Sequence, residues 1–444
     1  MSYQVVDELQ VDPAALRTYA EGWQSWSPTT WASWGAGHRP AEQWQHTMRF
    51  RPGAPLPADG VQGEGLLVLD PGTGAPVRSY GTLDAREDVP SIRASLSGDR
   101  LVVSADGVVS TTDAPDAVAA LAGYGDAFAA HARSGPVRPA PRVWCSWYRY
   151  FEHVTAQDVL TDLAAVEAHD LPVDVVQVDD GWTQGLGEWT RPREGFGSLP
   201  ELVDDVRSTG RRVGIWLAPF LVGVDTDLAR RHPDWLTGDA GRNWGQDLRG
   251  LDLTHAGVRE YLATTVRGLC ALGIDYVKLD FLYAGAIPAR RCEDVSGVAA
   301  YRSGLALLRE AAGPDTYLVG CGAPVLPSVG LVDAMRVSPD TFHEGGEDGS
   351  TGLRGRMSLV ARAWQQGRFW VNDPDCLVTR PTYSRREAWA GVVQEYGGLR
   401  SCSDRIDELD EWGLDTTRRL LAAAPPPVPF PDEALRRSTR PGER

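Results

Sequence analysis

Gly273-Ile274-Asp275-Tyr276-Val277-Lys278-Leu279-Asp280-Phe281 is a short apolar run, rich in β-branched and aromatic residues, that carries a lysine and then a carboxylate at its end. A run of this kind reads as a buried parallel strand. Side chains alternate along a strand, so Lys278 and Asp280 point the same way, one pleat apart. Of the 44 basic side chains, Lys278 is the only lysine. An ammonium and a planar guanidinium differ in size, hydration and donor geometry, so the choice points to a tight polar pocket at this strand end.

The same pattern extends on both sides. Strands are expected at 143–148, 173–179, 212–219, 276–280, 316–320, 334–338, 368–373 and 397–402. Helices are expected between them, at 155–169, 199–209, 256–272, 297–312, 353–366, 385–396 and 408–423, with the poorest one, 326–332, after the fifth strand. Eight strands alternating with helices are the signature of an α/β protein with a (β/α)8 TIM-type barrel; a doubly wound open sheet is the alternative. Thr155 and Thr254 read as N-caps. Residues 1–135 differ, with short alternating segments punctuated by Pro-Gly, Gly-Thr-Gly and Ser-Gly-Asp turns. They predict a smaller N-terminal antiparallel β-sandwich domain, with a hairpin around Ser97-Gly98-Asp99. Inside it, Gly22-Trp23-Gln24-Ser25-Trp26-Ser27-Pro28 is too aromatic for an ordinary exposed loop and either packs under the neighbouring domain or reaches into a site. The barrel then spans 136–424, and 425–444 reads as a loose Pro-rich tail.

The 444 residues carry a net charge of −16, which disfavours nucleic acid or an anionic membrane surface as partner. The N-terminus lacks a basic stretch followed by an apolar one, and no run is apolar enough to cross a bilayer, so a soluble, unexported protein is expected. The six cysteines show no metal-ligand spacing, which fits reduced thiols in the cytoplasm. Sixteen tryptophans are a heavy load; many belong to a core, and aromatic faces are also what sugar rings stack on.

Barrel enzymes place their working groups at the C-terminal ends of the strands. Those ends carry Trp147 and Tyr148, Asp179 and Asp180, Trp216, Lys278 and Asp280, Cys321, Arg336 and Asp340, and Asp373 and Asp375. Acids and tryptophans with one lysine and one arginine suit a polyhydroxylated ligand, and two facing carboxylates suit acid/base or nucleophilic work on a glycosidic bond. Asp280 beside Lys278 is expected to stay ionised, as a nucleophile must. Asp340 follows Arg336, which favours its ionised form, so a role as acid requires apolar cover. Asp179-Asp180 and Asp373-Pro374-Asp375 offer hard oxygen ligands suited to Mg²⁺ or Ca²⁺. Apart from His153 and His343 in following loops no histidine falls in the cluster, which disfavours a His-rich zinc or iron site, and no metal and no cofactor is expected. Cys321 has no His or Asn partner to activate it and reads as a ligand-contacting or structural thiol.

Together, Trp23-Gln24-Ser25-Trp26, Trp144-Cys145-Ser146-Trp147-Tyr148, Gln177-Val178-Asp179-Asp180, Gly214-Ile215-Trp216-Leu217-Ala218-Pro219-Phe220, His232-Pro233-Asp234-Trp235, Lys278-Leu279-Asp280-Phe281, Gly320-Cys321-Gly322, Arg336 with Pro339-Asp340-Thr341, and Phe369-Trp370-Val371-Asn372-Asp373-Pro374-Asp375-Cys376 resemble the family-36 glycoside hydrolases, closest to the short bacterial α-galactosidases. The resemblance implies a retaining, exo-acting α-galactosidase with Asp280 as nucleophile and Asp340 as acid/base. It implies that Asp179 and Asp180 hold the 6- and 4-hydroxyls of galactose, and that Lys278, Arg336, Cys321 and Trp216 line the same subsite. Trp147 and Tyr148 then lie beside it and Trp26 reaches over from the β domain. A small oligosaccharide or galactoside is the implied partner. Against that family the β regions at both ends read as shortened, and Gly181-Trp182 sets a bulky residue near the site. Another α-glycoside, transfer to a sugar acceptor, and a non-catalytic carbohydrate-binding protein are the alternatives.

Overall fold

The structure, a computed structural model, describes residues 2–35, 46–54, 56, 57, 59–132, 134–243, 245–341 and 355–440. Eight parallel strands form one sheet: β1 Arg142–Cys145, β2 Val175–Val178, β3 Arg212–Leu217, β4 Ile274–Leu279, β5 Tyr317–Gly320, β6 Ala334–Arg336, β7 Val371–Asp373 and β8 Arg400–Cys402. From β1 to β7 each pairs with the next in sequence, and β8 pairs with β1 rather than with β7. Between β7 and β8 the ring is drawn together where the Gly398 and Leu399 amides both donate to the Asn372 carbonyl at 2.9 Å. This nearly closed ring is the expected barrel, and it excludes the open doubly wound sheet.

Alternation within the strands determines what fills the interior. Val143, Val175, Tyr276, Tyr317, Val319, Ala334, Val371 and Leu399 form one apolar cluster across the ring, in which Tyr276 stacks on Tyr317 with centroids 5.8 Å apart. The next inward position on β4 after Tyr276 is Lys278, and the next is Asp280, so the polar residues lie above a plugged floor. β3 makes room for this with Gly214, where an added Cβ would press on Tyr276 and Gln177 at about 3 Å.

Helices Ala156–Ala168, Leu199–Ser208, Ala256–Ala271, Gly297–Ala312, Arg386–Tyr396 and Glu411–Ala422 lie close to their expected places. Thr155 caps its helix through a reciprocal box with Asp158. The second expected cap differs: His255 Nδ1 accepts from the Gly257 amide, while Thr254 bonds back to Asp252. The helix expected at 353–366 is described only from 355 on, as Arg356–Ala361 and a short turn Ala363–Gln365. A small sheet was not expected. Between β3 and its helix the chain makes a three-stranded antiparallel sheet from Leu221–Gly223, Leu236–Asn243 and Gln246–Leu251.

The N-terminal part holds two antiparallel sheets, of four and five strands. The expected hairpin pairs Ser91–Ser97 with Arg100–Ala105, and Gly98 takes a positive φ of 63° at its turn. Leu66-Leu67-Val68-Leu69 is apolar throughout because both its faces are covered. Leu67 and Leu69 join the core between the sheets, whereas Leu66 and Val68 join the core continuous with the barrel. The segment expected as a loose tail contains a helix, Asp432–Ser438, whose Ala434 and Leu435 are buried and which packs on the helix Ala117–Ala132. No helix among the described residues is long and apolar enough to cross a membrane.

Candidate active site

Residue by residue, the strand ends converge. Asp280 follows β4, and its carboxylate accepts from Trp216 Nε1 at 3.0 Å, from the Phe281 amide at 2.8 Å and from the Cys321 thiol. Phe281 has a positive φ of 50°, which turns the chain sharply and leaves Asp280 facing the mouth. Burial pushes the Asp280 carboxyl above its ordinary value, against Lys278, Cys321 and Trp216. Lys278 works against this push, in the direction expected of a neighbouring cation, while its hydrogen bond engages a second acid.

That engagement is with Asp179. Its Oδ2 accepts from Lys278 Nζ at 2.9 Å, Gln177 Nε2 at 2.6 Å and Cys145 Sγ at 3.3 Å. The Asp179 amide donates to Ser146 Oγ at 2.9 Å, and its Oδ1 accepts from the Asp180 amide at 3.0 Å. Gln177 and Cys145 were not on the expected site, although each lies on the inward face of its strand, where alternation places them. Asp180 is buried beside Asp179 and accepts from the Gly181 amide at 2.7 Å.

Trp216 is buried, edge-on to Trp189 and Phe281. The bulky Trp182 is buried near the site, and its Nε1 donates to the Trp216 carbonyl at 3.0 Å. Trp26 does reach the mouth. Its loop adds to the segment after β5, with the Ser25 amide on the Ala323 carbonyl at 3.0 Å and the Val325 amide on the Trp23 carbonyl at 3.1 Å. The Trp26 ring stands edge-on to Phe281 at 5.1 Å and lies against Gly322, where an added Cβ would sit 2.9 Å from it.

On the opposite side, Arg336 at the end of β6 is 1% exposed, and its Nη2 donates to Asp340 Oδ1 at 2.7 Å. The Asp340 side chain is 34% exposed, the most open of the expected acids at the mouth. Tyr148 is buried with its hydroxyl on Asp375 Oδ2, and Trp147 packs edge-on to Phe151 at 5.2 Å. Asp375, grouped in the sequence with possible metal ligands, proves to be a partner of Arg336 at 3.0 Å. Among the described residues, no group of three or more His, Cys, Asp or Glu could hold a metal ion, and all six cysteines are free thiols.

Comparison with known proteins places this arrangement. The Melibiase family profile matches residues 137–307. Over 159 residues the chain is 35% identical to the bifunctional alpha-galactosidase/sucrose kinase AgaSK of Mediterraneibacter gnavus, covering 32% of this chain and 17% of that protein. Over 124 residues it is 31% identical to the alpha-galactosidase AgaA of Geobacillus stearothermophilus, covering 26% of this chain and 17% of that one. The aligned stretches thus span under a fifth of either relative. The solved structure of TtGalA, an alpha-galactosidase from Thermus thermophilus in complex with p-nitrophenyl alpha-D-galactopyranoside, superposes with a TM-score of 0.78 at 30% identity, covering 95% of this chain and 89% of that chain. The same Thermus protein is also solved with stachyose. A likeness running through nearly the whole of both chains, over a barrel whose mouth gathers the side chains that the motifs picked out, makes this chain a member of glycoside hydrolase family 36, the melibiases.

Proposed function

We propose that the protein is a retaining, exo-acting α-galactosidase that removes terminal α-linked galactose by double displacement, with Asp280 as nucleophile and Asp340 as acid/base. One observation carries the reading: Asp280 follows β4 and Asp340 follows β6 at the same end of the barrel, near enough that Asp340 adds to the upward push that burial gives Asp280. In the first step an Asp280 oxygen attacks the anomeric carbon as the glycosidic C–O bond breaks, and Asp340 gives its proton to the departing oxygen. In the second, Asp340 takes a proton from water, whose oxygen attacks the same carbon and frees Asp280. The sugar leaves with its starting anomeric configuration, and the reaction balances without a cofactor.

The floor of stacked Tyr276 and Tyr317 makes the hollow a dead end, which suits a chain terminus rather than an internal sugar. Asp179 and Asp180 serve as acceptors for the 6- and 4-hydroxyls, with Lys278, Cys321, Arg336 and Trp216 around the ring and Trp147, Tyr148 and Trp26 at its edge. Trp26 comes from the smaller domain, residues 1–135, and the other residues from the barrel, 136–424. The p-nitrophenyl galactoside and stachyose bound by the Thermus relative support galactosides and galactose-terminated oligosaccharides as substrates. Six free thiols, three of them buried around Asp179 and Asp280 or beside them, support a cytoplasmic setting.

The test is a panel of α-galactosides, α-glucosides and α-N-acetylgalactosaminides with NMR of the first-formed sugar. Release of α-galactose is expected. A β-anomer as first product, or a preference for another glycoside, would overturn the proposal.

A further inference from the structure

Arg336 serves two carboxylates at once. Its Nη2 donates to Asp340 Oδ1 at 2.7 Å, and its Nη1 lies 3.0 Å from Asp375 Oδ1. A cation in contact with a carboxyl favours the ionised form, which works against a residue that must begin the reaction protonated. Apolar cover, the counterweight considered from the sequence, is not what Asp340 has, since its side chain is 34% exposed. The same guanidinium also meets a second carboxylate, Asp375.

Asp375 is itself firmly held. It follows β7 with a positive φ of 95°, rare for an aspartate, and its amide donates to Asp373 Oδ1 at 2.9 Å. Its Oδ1 accepts from Arg336 and from the Cys376 amide at 2.8 Å. Its Oδ2 accepts from the Thr341 amide at 2.8 Å and from the Tyr148 hydroxyl. Four donors fill the roughly four acceptor sites of a carboxylate, so none is left for a sugar hydroxyl. Thr341 directly follows Asp340, so Asp375 grips the peptide of the acid as well as its cation.

Resting on the reading of Asp340 as acid/base, we propose that Asp375 is a positioning residue that shares Arg336 with Asp340, offsetting the cation so that the acid keeps its proton and fixing the peptide that carries it. Among the described residues, the charged or titratable groups facing this pair are Arg336 and Cys321, Asp280 from β4, Tyr148 after β1, and Tyr383 before the helix Arg386–Tyr396. Burial pushes Asp375 up to about 6 against the pull of Arg336, with Asp340 adding to the push, as two acids on one buried cation should do.

The test is Asp375→Asn, which keeps the shape and removes the charge, assayed on two galactosides that differ in leaving group. 2,4-Dinitrophenyl α-galactoside departs without protonation, whereas melibiose needs the acid. The variant is expected to lose roughly tenfold more kcat/KM on melibiose than on the dinitrophenyl substrate, a fraction of the roughly 10²–10⁴ that a positioned acid contributes. Its alkaline limb on melibiose should move to lower pH, because removing a nearby negative charge lets Asp340 release its proton sooner. Equal losses on both substrates with an unmoved limb would reduce Asp375 to a structural role and overturn the proposal. If Asp375→Asn does not fold, Asp373→Ala, which loosens the Asp375 turn, is expected to show the same split, and equal losses there overturn it too. Asp340→Ala is the control: absence of a leaving-group split in that variant would instead remove the acid/base reading on which the proposal stands.

Discussion

The Lys278 ammonium sits 2.9 Å from Asp179 Oδ2 at the barrel mouth, with both side chains almost wholly shielded from water. Burial alone would depress the lysine, but Asp179 and Asp280 more than reverse this and hold it well above its ordinary value. It is therefore a permanent point charge that braces one acid by contact and faces a second across the hollow.

A guanidinium cannot replace it. Lys278→Arg must fit a larger planar group between Asp179 and Asp280, and the resulting displacement is expected to cost roughly a hundredfold in kcat/KM. Lys278→Met should move the acid limb of the profile to higher pH, because the cation that opposes burial at Asp280 is gone. Steady-state kinetics across pH checks both, and a Lys278→Arg enzyme with unchanged kcat/KM would show that the pocket does not discriminate.

Arg362 and Glu21 form an ion pair with both side chains fully buried. The same guanidinium donates to the carbonyls of Gln24, Ser25 and Val337, so it ties the Trp26 loop to the barrel. Arg362→Met leaves Glu21 buried without its cation and should cost about 3–5 kcal/mol in urea unfolding. Pairing it with Glu21→Gln should recover part of that loss. A cost under about 1 kcal/mol for the single variant would mean that the pair is not what holds the loop.

Asp162 gives a stability signature independent of catalysis. Burial pushes it up to about 6 from an ordinary 3.8, against the Tyr150 hydroxyl at 2.6 Å and the Ile406 amide at 2.9 Å. Between those pH values the folded protein holds a proton that the unfolded chain releases, so this group's contribution is present at low pH and lost as pH rises through about 6. Asp375 titrates in the same direction. Asp162→Asn should therefore flatten the fall of Tm between pH 4 and pH 7, and an unchanged slope would contradict the assignment.

Much of this was legible in the sequence because barrel strands are buried on both faces and announce themselves as apolar runs, while period two fixes which residues share a face. Tyr276, Lys278 and Asp280 follow from that alone. The sheet at 221–251 was not legible, because register shifts around Asp239 break the alternation of Leu236–Asn243. The role of Asp375 was hidden for a similar reason: it depends on a backbone reversal after β7 that no periodicity encodes. The packing of Trp182, whose indole donates to the Trp216 carbonyl, depends on tertiary contacts that no periodicity encodes. The tryptophan excess is largely core, since eight of these side chains, Trp216 among them, are fully buried.

The most direct measurement is to trap the covalent intermediate with a 5-fluoro-α-galactosyl fluoride and locate the adduct by peptide mass spectrometry. A single galactosyl ester on the peptide containing Asp280 is expected, with none in Asp280→Ala. Labelling of another carboxylate, or steady turnover by Asp280→Ala, would contradict it.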